Sequence, residues 1–198
     1  MNSADFNRGL GLTALGSFWW GFFGVIYFEY VSYIGHIETV LHRTIWTSVF
    51  LILTTFYFSK WGIFFEIISN IKNLITLFFS GLLIFTNWAV WIYAVSSDQI
   101  LNASFGYFIM PIISVFLGYI FFKEELNTKR IISISLVIIS ICFLLLFNFQ
   151  SIPWVGLIVA LSWSFYNLLR KKINVDTDIG LLIESLFILP FAVVAFYI

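Results

Sequence analysis

The 198-residue chain is 61% hydrophobic and 21% aromatic, with 25 phenylalanines and 10% charged residues that balance to a formal net charge of zero. A soluble domain has about a quarter of its residues charged, so this composition excludes an ordinary soluble protein and gives no net positive charge to attract nucleic acid. It reads as an integral membrane protein.

Crossing a bilayer takes about 20 mostly apolar residues of helix. Seven runs approach that length: 10–33, 37–58, 74–95, 100–122, 131–147, 154–169 and 181–198. Backbone groups in lipid must pair within their own segment, and transmembrane strands would show shorter stretches of alternating polarity. The expected fold class is therefore all-α and polytopic. The first run lacks a small-residue Ala-x-Ala cleavage site and is rich in tryptophan, so it reads as a retained helix and not as a signal peptide.

The second run opens on Glu38, His42 and Arg43. Glu38 and His42 are four apart and share a helix face, and Thr39, Arg43 and Thr47 form an adjacent stripe. At a rise of ~1.5 Å per residue Arg43 falls about 9 Å into the helix, in the outer third of the hydrocarbon. A central arginine costs on the order of 3 kcal/mol, whereas one near the end reaches the headgroups along its own stem. Two readings therefore stand: a snorkelling cation, or an inward-facing polar site that pairs Glu38 with Arg43 or His42, or receives an anionic substrate group. Clustering within two turns favours the second. The unperturbed pKa of an imidazole, about 6.5, would let a histidine such as His42 carry a coupled proton, but nothing in the sequence demands coupling.

The third run carries Asn87, Trp88, Trp91 and Tyr93 past its midpoint, with Asn87 and Trp91 on one face. Interhelical hydrogen bonding by the amide and contact with a substrate are compatible readings. In the fourth run Gly106 and Pro111 are expected to interrupt the helix, as broken helices do at transporter binding sites. Ser114-x-x-x-Gly118 reads as a small-residue packing face. Glu124 and Glu125 read as solvated loop carboxylates, Cys142 as a small apolar residue, and Pro190 as a second mid-helix proline. Asn102-Ala103-Ser104 fits the glycosylation pattern but falls at a membrane boundary and is discounted. No Ser-His-Asp set, metal-ligand spacing or Gly-rich phosphate loop is present, so neither an enzyme nor a nucleotide-driven protein is expected, and no cofactor or metal.

Of the ten Lys and Arg residues, nine fall on one side of the predicted topology: Arg8, Lys60, Lys72, Lys123, Lys129, Arg130, Arg170, Lys171 and Lys172. The connections 32–35, 96–99 and 148–153 carry none, and Arg43 is the remaining one. This asymmetry places the N-terminus in the cytoplasm, and Arg170-Lys171-Lys172 reads as a topology determinant.

Sliding the chain by 146 residues pairs Ala14-Leu15 with Ala160-Leu161, Trp19-Trp20 with Phe165-Tyr166, and Glu38 with Glu184. An odd number of spans separates the copies, which makes them an inverted repeat. The chance similarity of two greasy helices is the competing reading. The expected division is a five-helix unit over 1–150 and the start of a second over 151–198, so the chain reads as a truncated or fragmentary ten-helix protein.

The stretches "ETVLHRTIW" from Glu38, "NWAVWIYAV" from Asn87, "ASFGYFIMPIISVFLGYIF" from Ala103 and "FYNLLRKKINVDTDIGLLIESLFILP" from Phe165 together resemble the RarD type of EamA-like permeases in the drug/metabolite transporter superfamily. The resemblance covers essentially the whole chain. It implies two inverted five-helix repeats and secondary transport of small metabolites or drugs by alternating access, in the bacterial cytoplasmic membrane. Met110 and Asn102 depart from the family pattern, which has asparagine before the proline and glutamate before Ala-Ser.

The candidate substrate-binding residues are Trp20, Glu38, His42, Arg43, Trp46, Asn87, Trp88, Trp91, Tyr107, Pro111 and Glu184. The expected partners are the lipid bilayer and a small-molecule substrate, without nucleic acid; a homodimer is left open. A truncated, non-transporting membrane protein or a membrane-embedded interaction module is the alternative.

Overall fold

A computed structural model describes residues 3–148 and 153–197. The expected repeat boundary at 150/151, most of the connection 148–153 and Ile198 lie outside the described residues. Within them the chain is helical, without a strand. Helix α1 (Ser3–Trp19) passes through a π-helical turn, Trp20–Gly24, into α2 (Val25–Tyr30). A 3₁₀ turn then leads to α3 (His36–Tyr57), α4 (Trp61–Ser69), α5 (Ile71–Ser96), α6 (Ile100–Phe122), α7 (Thr128–Asn148), α8 (Trp154–Lys172) and α9 (Thr177–Tyr197).

Each of the seven apolar runs forms a helix, but not all meet the demands of a lipid crossing. Five are long and apolar enough: Phe6–Tyr27, Ile71–Ser96, Ile100–Phe122, Thr128–Phe147 and Thr177–Phe196. A sixth is added if α3 and α4, bent by 116°, count as one span. Helix α8 is not among them because its run is less apolar and ends on three cations; one of its faces is buried and the other, with Trp154, Leu161 and Phe165, is exposed. It buries Ser162, Ser164 and Tyr166 against protein and carries Arg170, Lys171 and Lys172 in its last turn.

Two local features were not anticipated. The first run does not form one regular helix: its π-helical turn brings Trp20 in beside Gly24, whose missing Cβ leaves room for the indole. Residues 59–73, expected as loop, hold α4, whose rings Trp61, Phe64 and Phe65 cluster with centroids 5.3–6.2 Å apart. The chain returns through Asn70, whose Oδ1 accepts from the backbone N–H groups of Lys72 and Asn73 at 3.1 and 3.4 Å, capping α5.

Helix α5 is central, with α2, α3, α4, α6, α8 and α9 packed around it. Helix α8 lies chiefly against α6 and α5, and α9 chiefly against α3 and α5. Without a hydrophobic force to join helices in lipid, close approach depends on small residues. The α6/α8 crossing follows that rule: Gly106 meets the backbone of Gly156, Gly156 meets the carbonyl of Asn102, and Ser114 Oγ donates to Ser164 Oγ at 3.4 Å. The expected interruption of the fourth run is therefore corrected. Helix α6 continues unbroken through Pro111, and Gly106 serves packing.

Gly106→Ala is expected to destabilise the protein by about 1–3 kcal/mol, because a Cβ there meets backbone that no rotamer change can move. Thermal unfolding in detergent measures the loss. Alanine at Gly62, where a Cβ meets nothing within 4 Å, serves as the neutral control.

Ion pairs tie the basic end of the bundle. Lys60 Nζ lies 2.7 Å from Asp178 Oδ2 and 3.4 Å from Asp176 Oδ2, joining the α3–α4 bend to the start of α9. Glu124 pairs with Arg130 at 3.2 Å and with Lys171, so it links α6, α7 and α8 and is not the freely solvated carboxylate expected. The hydrogen bond from Lys171 holds its carboxyl below the usual glutamate range.

Candidate functional site

The local folding around Arg43 starts at Gly35, whose φ of +95° only glycine adopts readily. This residue turns the chain into α3, and the Thr39 hydroxyl donates to its carbonyl at 2.8 Å. Seven residues into α3 from Ile37, Arg43 faces the bundle. Its Cζ lies 4.4 Å from the centroid of Trp88 on α5 and 5.5 Å from that of Trp20 in the π-helical turn. A guanidinium between indole faces gains cation–π attraction where water is scarce.

A cavity of about 290 Å³ opens beside this stack, lined by Trp20, Arg43, Asn87, Trp88, Trp91, Tyr107 and Trp163. Trp91 and Tyr107 meet edge to face at 5.5 Å, and the Trp20 side chain hydrogen-bonds Tyr107. The Asn87 amide is committed as a donor, to the Val159 carbonyl at 3.2 Å and to Ser162 Oγ at 3.1 Å. It thus makes the interhelical bond expected of it and still lines the cavity. Trp91 is 5% exposed, and its indole N–H finds no acceptor among the described residues. Trp20 and Arg43 also line a larger, open cavity of about 1240 Å³ with His42, Trp46 and the rings of α2.

A second polar centre surrounds Glu184, which is 0% exposed in the middle of α9. Its Oε1 accepts from Ser80 Oγ at 2.5 Å, its Oε2 accepts from Tyr166 Oη at 3.3 Å, and Arg170 Nε lies 3.7 Å from Oε1. The Arg170 side chain is 12% exposed, and its Nη2 donates to the carbonyls of Asp176 and Thr177 at 3.3 and 3.5 Å. Gly180 leaves the space that the guanidinium crosses, and Gly81 lets α5 approach the Glu184 backbone. Beyond the topology determinant expected of it, Arg170 is thus mostly buried, with its guanidinium beside a buried carboxylate. Trp88 lies between the two centres, since it lines both the Arg43 cavity and a small void beside Glu184.

The structure gathers Trp20, Arg43, Asn87, Trp88, Trp91 and Tyr107 around one space. His42 and Trp46 border the larger cavity, and Trp46 is 64% exposed. Glu38 lies in the first turn of α3 and approaches His42 at 3.8 Å, so of the two expected pairings the one with histidine forms. Glu184 stands apart with Arg170, and Glu38, which the 146-residue shift pairs with it, is exposed while it is buried. Pro111 lies away from Arg43, beside Lys129, Arg130 and Ser133 of α7.

Trp163, Ser80, Tyr166 and Arg170 were not among the candidate site residues read from the sequence. Arg170 could have been found: a glutamate in mid-helix needs a cation, and the basic residues nearest in the chain end the helix just before it.

The EamA-like transporter family matches residues 7–146. The uncharacterized transporter YojE of Bacillus subtilis (strain 168) is 33% identical over 97% of this chain and 65% of its own length. An uncharacterized transporter of Pseudomonas aeruginosa is 35% identical over 98% of the chain and 64% of its length. Protein RarD of Escherichia coli (strain K12) is 34% identical over 98% and 65%. The chain thus spans about 65% of the length of the curated relatives it matches. No solved structure matches it.

Proposed function

Because the chain belongs to the EamA-like transporter family, we propose that it acts in secondary transport of a small molecule of the drug or metabolite type, by alternating access across the bacterial cytoplasmic membrane. The observation that carries this reading is the cavity at Arg43, where a cation is held among tryptophans between helices of a multi-pass membrane protein. An arginine at such a position is costly unless it faces a cavity or a partner, and intramembrane charges of this kind mark solute pathways. A mostly apolar pocket with a few convergent polar groups is the usual form of a small-molecule site.

In this mechanism the open cavity of about 1240 Å³ receives the solute and the smaller space beyond Trp20 and Arg43 holds it. Rocking of one group of helices against the other then exposes the solute to the opposite side. The basic end of the bundle, closed by Lys60 with Asp176 and Asp178 and by Glu124 with Lys171, faces the cytoplasm, as the positive-inside rule expects. The names of the relatives give a reaction class and no substrate.

The test is counterflow. The full chain is reconstituted into proteoliposomes preloaded with a metabolite mixture, and exchange of labelled solutes is followed by mass spectrometry. Exchange above protein-free vesicles for at least one solute is expected; its absence across the mixture overturns the reading.

A further inference from the structure

The groups that line the Arg43 cavity select one sign of charge. Its cation is Arg43, its donor without an acceptor among the described residues is the Trp91 indole N–H, and among the described residues no Asp or Glu side chain lines either this cavity or the larger one it adjoins. Asn87 has both described amide contacts directed away to α8, as a donor. Arg43 and the Trp91 N–H offer charge-assisted and neutral donors to an incoming ligand, Asn87 and Tyr107 contribute uncharged oxygens, and the aromatic rings form a flat wall for the rest of it. A buried N–H without an acceptor is costly, and an oxygen-bearing ligand would satisfy it.

We infer that this cavity takes a small organic anion, a carboxylate carried on a flat apolar body, with Arg43 and the Trp91 N–H as the donors to the carboxylate. The inference deepens the proposed function and rests on the Arg43 cavity being the solute site. The guanidinium is already oriented by its stack on Trp88, so its N–H edge is presented at little cost in side-chain order. Charge-assisted bonds from Arg to carboxylate are the stronger class, and they strengthen where water is excluded. An ammonium group in the same place would face a guanidinium and a donor, with no carboxylate among the described lining residues to receive it. The volume of about 290 Å³ equals roughly ten water volumes, which suits a single-ring acid in the inner space.

The test compares phenylacetate with benzylamine, two probes of similar shape and opposite charge, by equilibrium dialysis against the full chain in detergent. Phenylacetate is expected to bind at least about tenfold more tightly. Trp91→Phe keeps an aromatic ring at the position and removes the N–H together with the rest of the indole's five-membered ring, so it should weaken phenylacetate about tenfold at an unchanged gel-filtration volume. Arg43→Gln should abolish the preference between the probes. Equal or tighter binding of benzylamine, no binding of either probe, or an unaltered phenylacetate affinity in Trp91→Phe would overturn the inference. Binding is read without transport, so failure of counterflow leaves this result intact. A cation that is bound and carried removes the anion preference alone and leaves the transport reading in place.

Discussion

Replacing Arg43 with alanine is expected to lower transport by about ten- to a hundredfold while the protein still inserts and keeps its fold. The magnitude follows from losing a charge-assisted contact with the solute, worth about 1.5–3 kcal/mol. Retention of the fold follows from the neighbours. Glu38 approaches His42 and not Arg43, so the deletion leaves that contact in place. Trp88 remains anchored on the central helix, and Asn87 keeps its bonds to α8. What the helix bundle loses is the cation–π contact, about 0.5–2 kcal/mol. Arg43→Lys should fall between, because an ammonium keeps the charge but lacks the planar face that stacks on Trp88. Counterflow rates normalised to protein recovered in monodisperse form are the measurement, and a rate equal to wild type in Arg43→Ala would move the solute site elsewhere.

The second large effect concerns Glu184. Glu184→Ala should destabilise the protein by about 3–5 kcal/mol, since it leaves the Arg170 guanidinium buried without its carboxylate and removes the acceptor from Ser80 and Tyr166. Glu184→Gln keeps an acceptor for one of the two hydroxyls and presents an amide N–H to the other, without the charge, so it should cost less than alanine. The decisive comparison is the double variant Arg170→Gln with Glu184→Gln, which removes both charges together. It should recover much of the stability lost in either single variant, giving a coupling within the range of about 0.5–3 kcal/mol seen for contacting residues. Thermal unfolding of the four proteins in one detergent supplies the cycle. Additive losses would mean that the two side chains do not act as a pair.

These two centres differ in how far the sequence revealed them. Arg43 was visible because a cation in an apolar run is conspicuous, and Trp88 and Trp91 because aromatic residues at mid-depth are not in the interfacial belt. Glu184 was visible through its repeat match, but its partner was not. Arg170 stands beside Lys171 and Lys172, and three adjacent cations look alike in a charge count although one of them turns inward at the end of a helix. Periodicity could not give that turn, which depends on Gly180 leaving a gap one helix away. Pro111 erred in the other direction. Proline is a strong local signal, yet α6 runs on through it, and the residue that matters for packing is Gly106.

The sequence by itself determined the class: apolar runs of helical length, their number and order, the concentration of cations at one set of connections, and the family resemblance. These follow from the cost of exposing backbone and charge to lipid, which acts on each segment separately and so leaves its mark residue by residue. Only the tertiary structure decided which faces are interior. Helix α8 buries one face although its run had looked like the others, because its close approach depends on Gly106 of α6 meeting its own Gly156 and on a central α5 to receive it. It also decided that Trp20, far from α5 in the chain, closes over Arg43 through a π-helical turn. Contacts between distant segments depend on the shapes of both partners, and no local pattern in either segment records them.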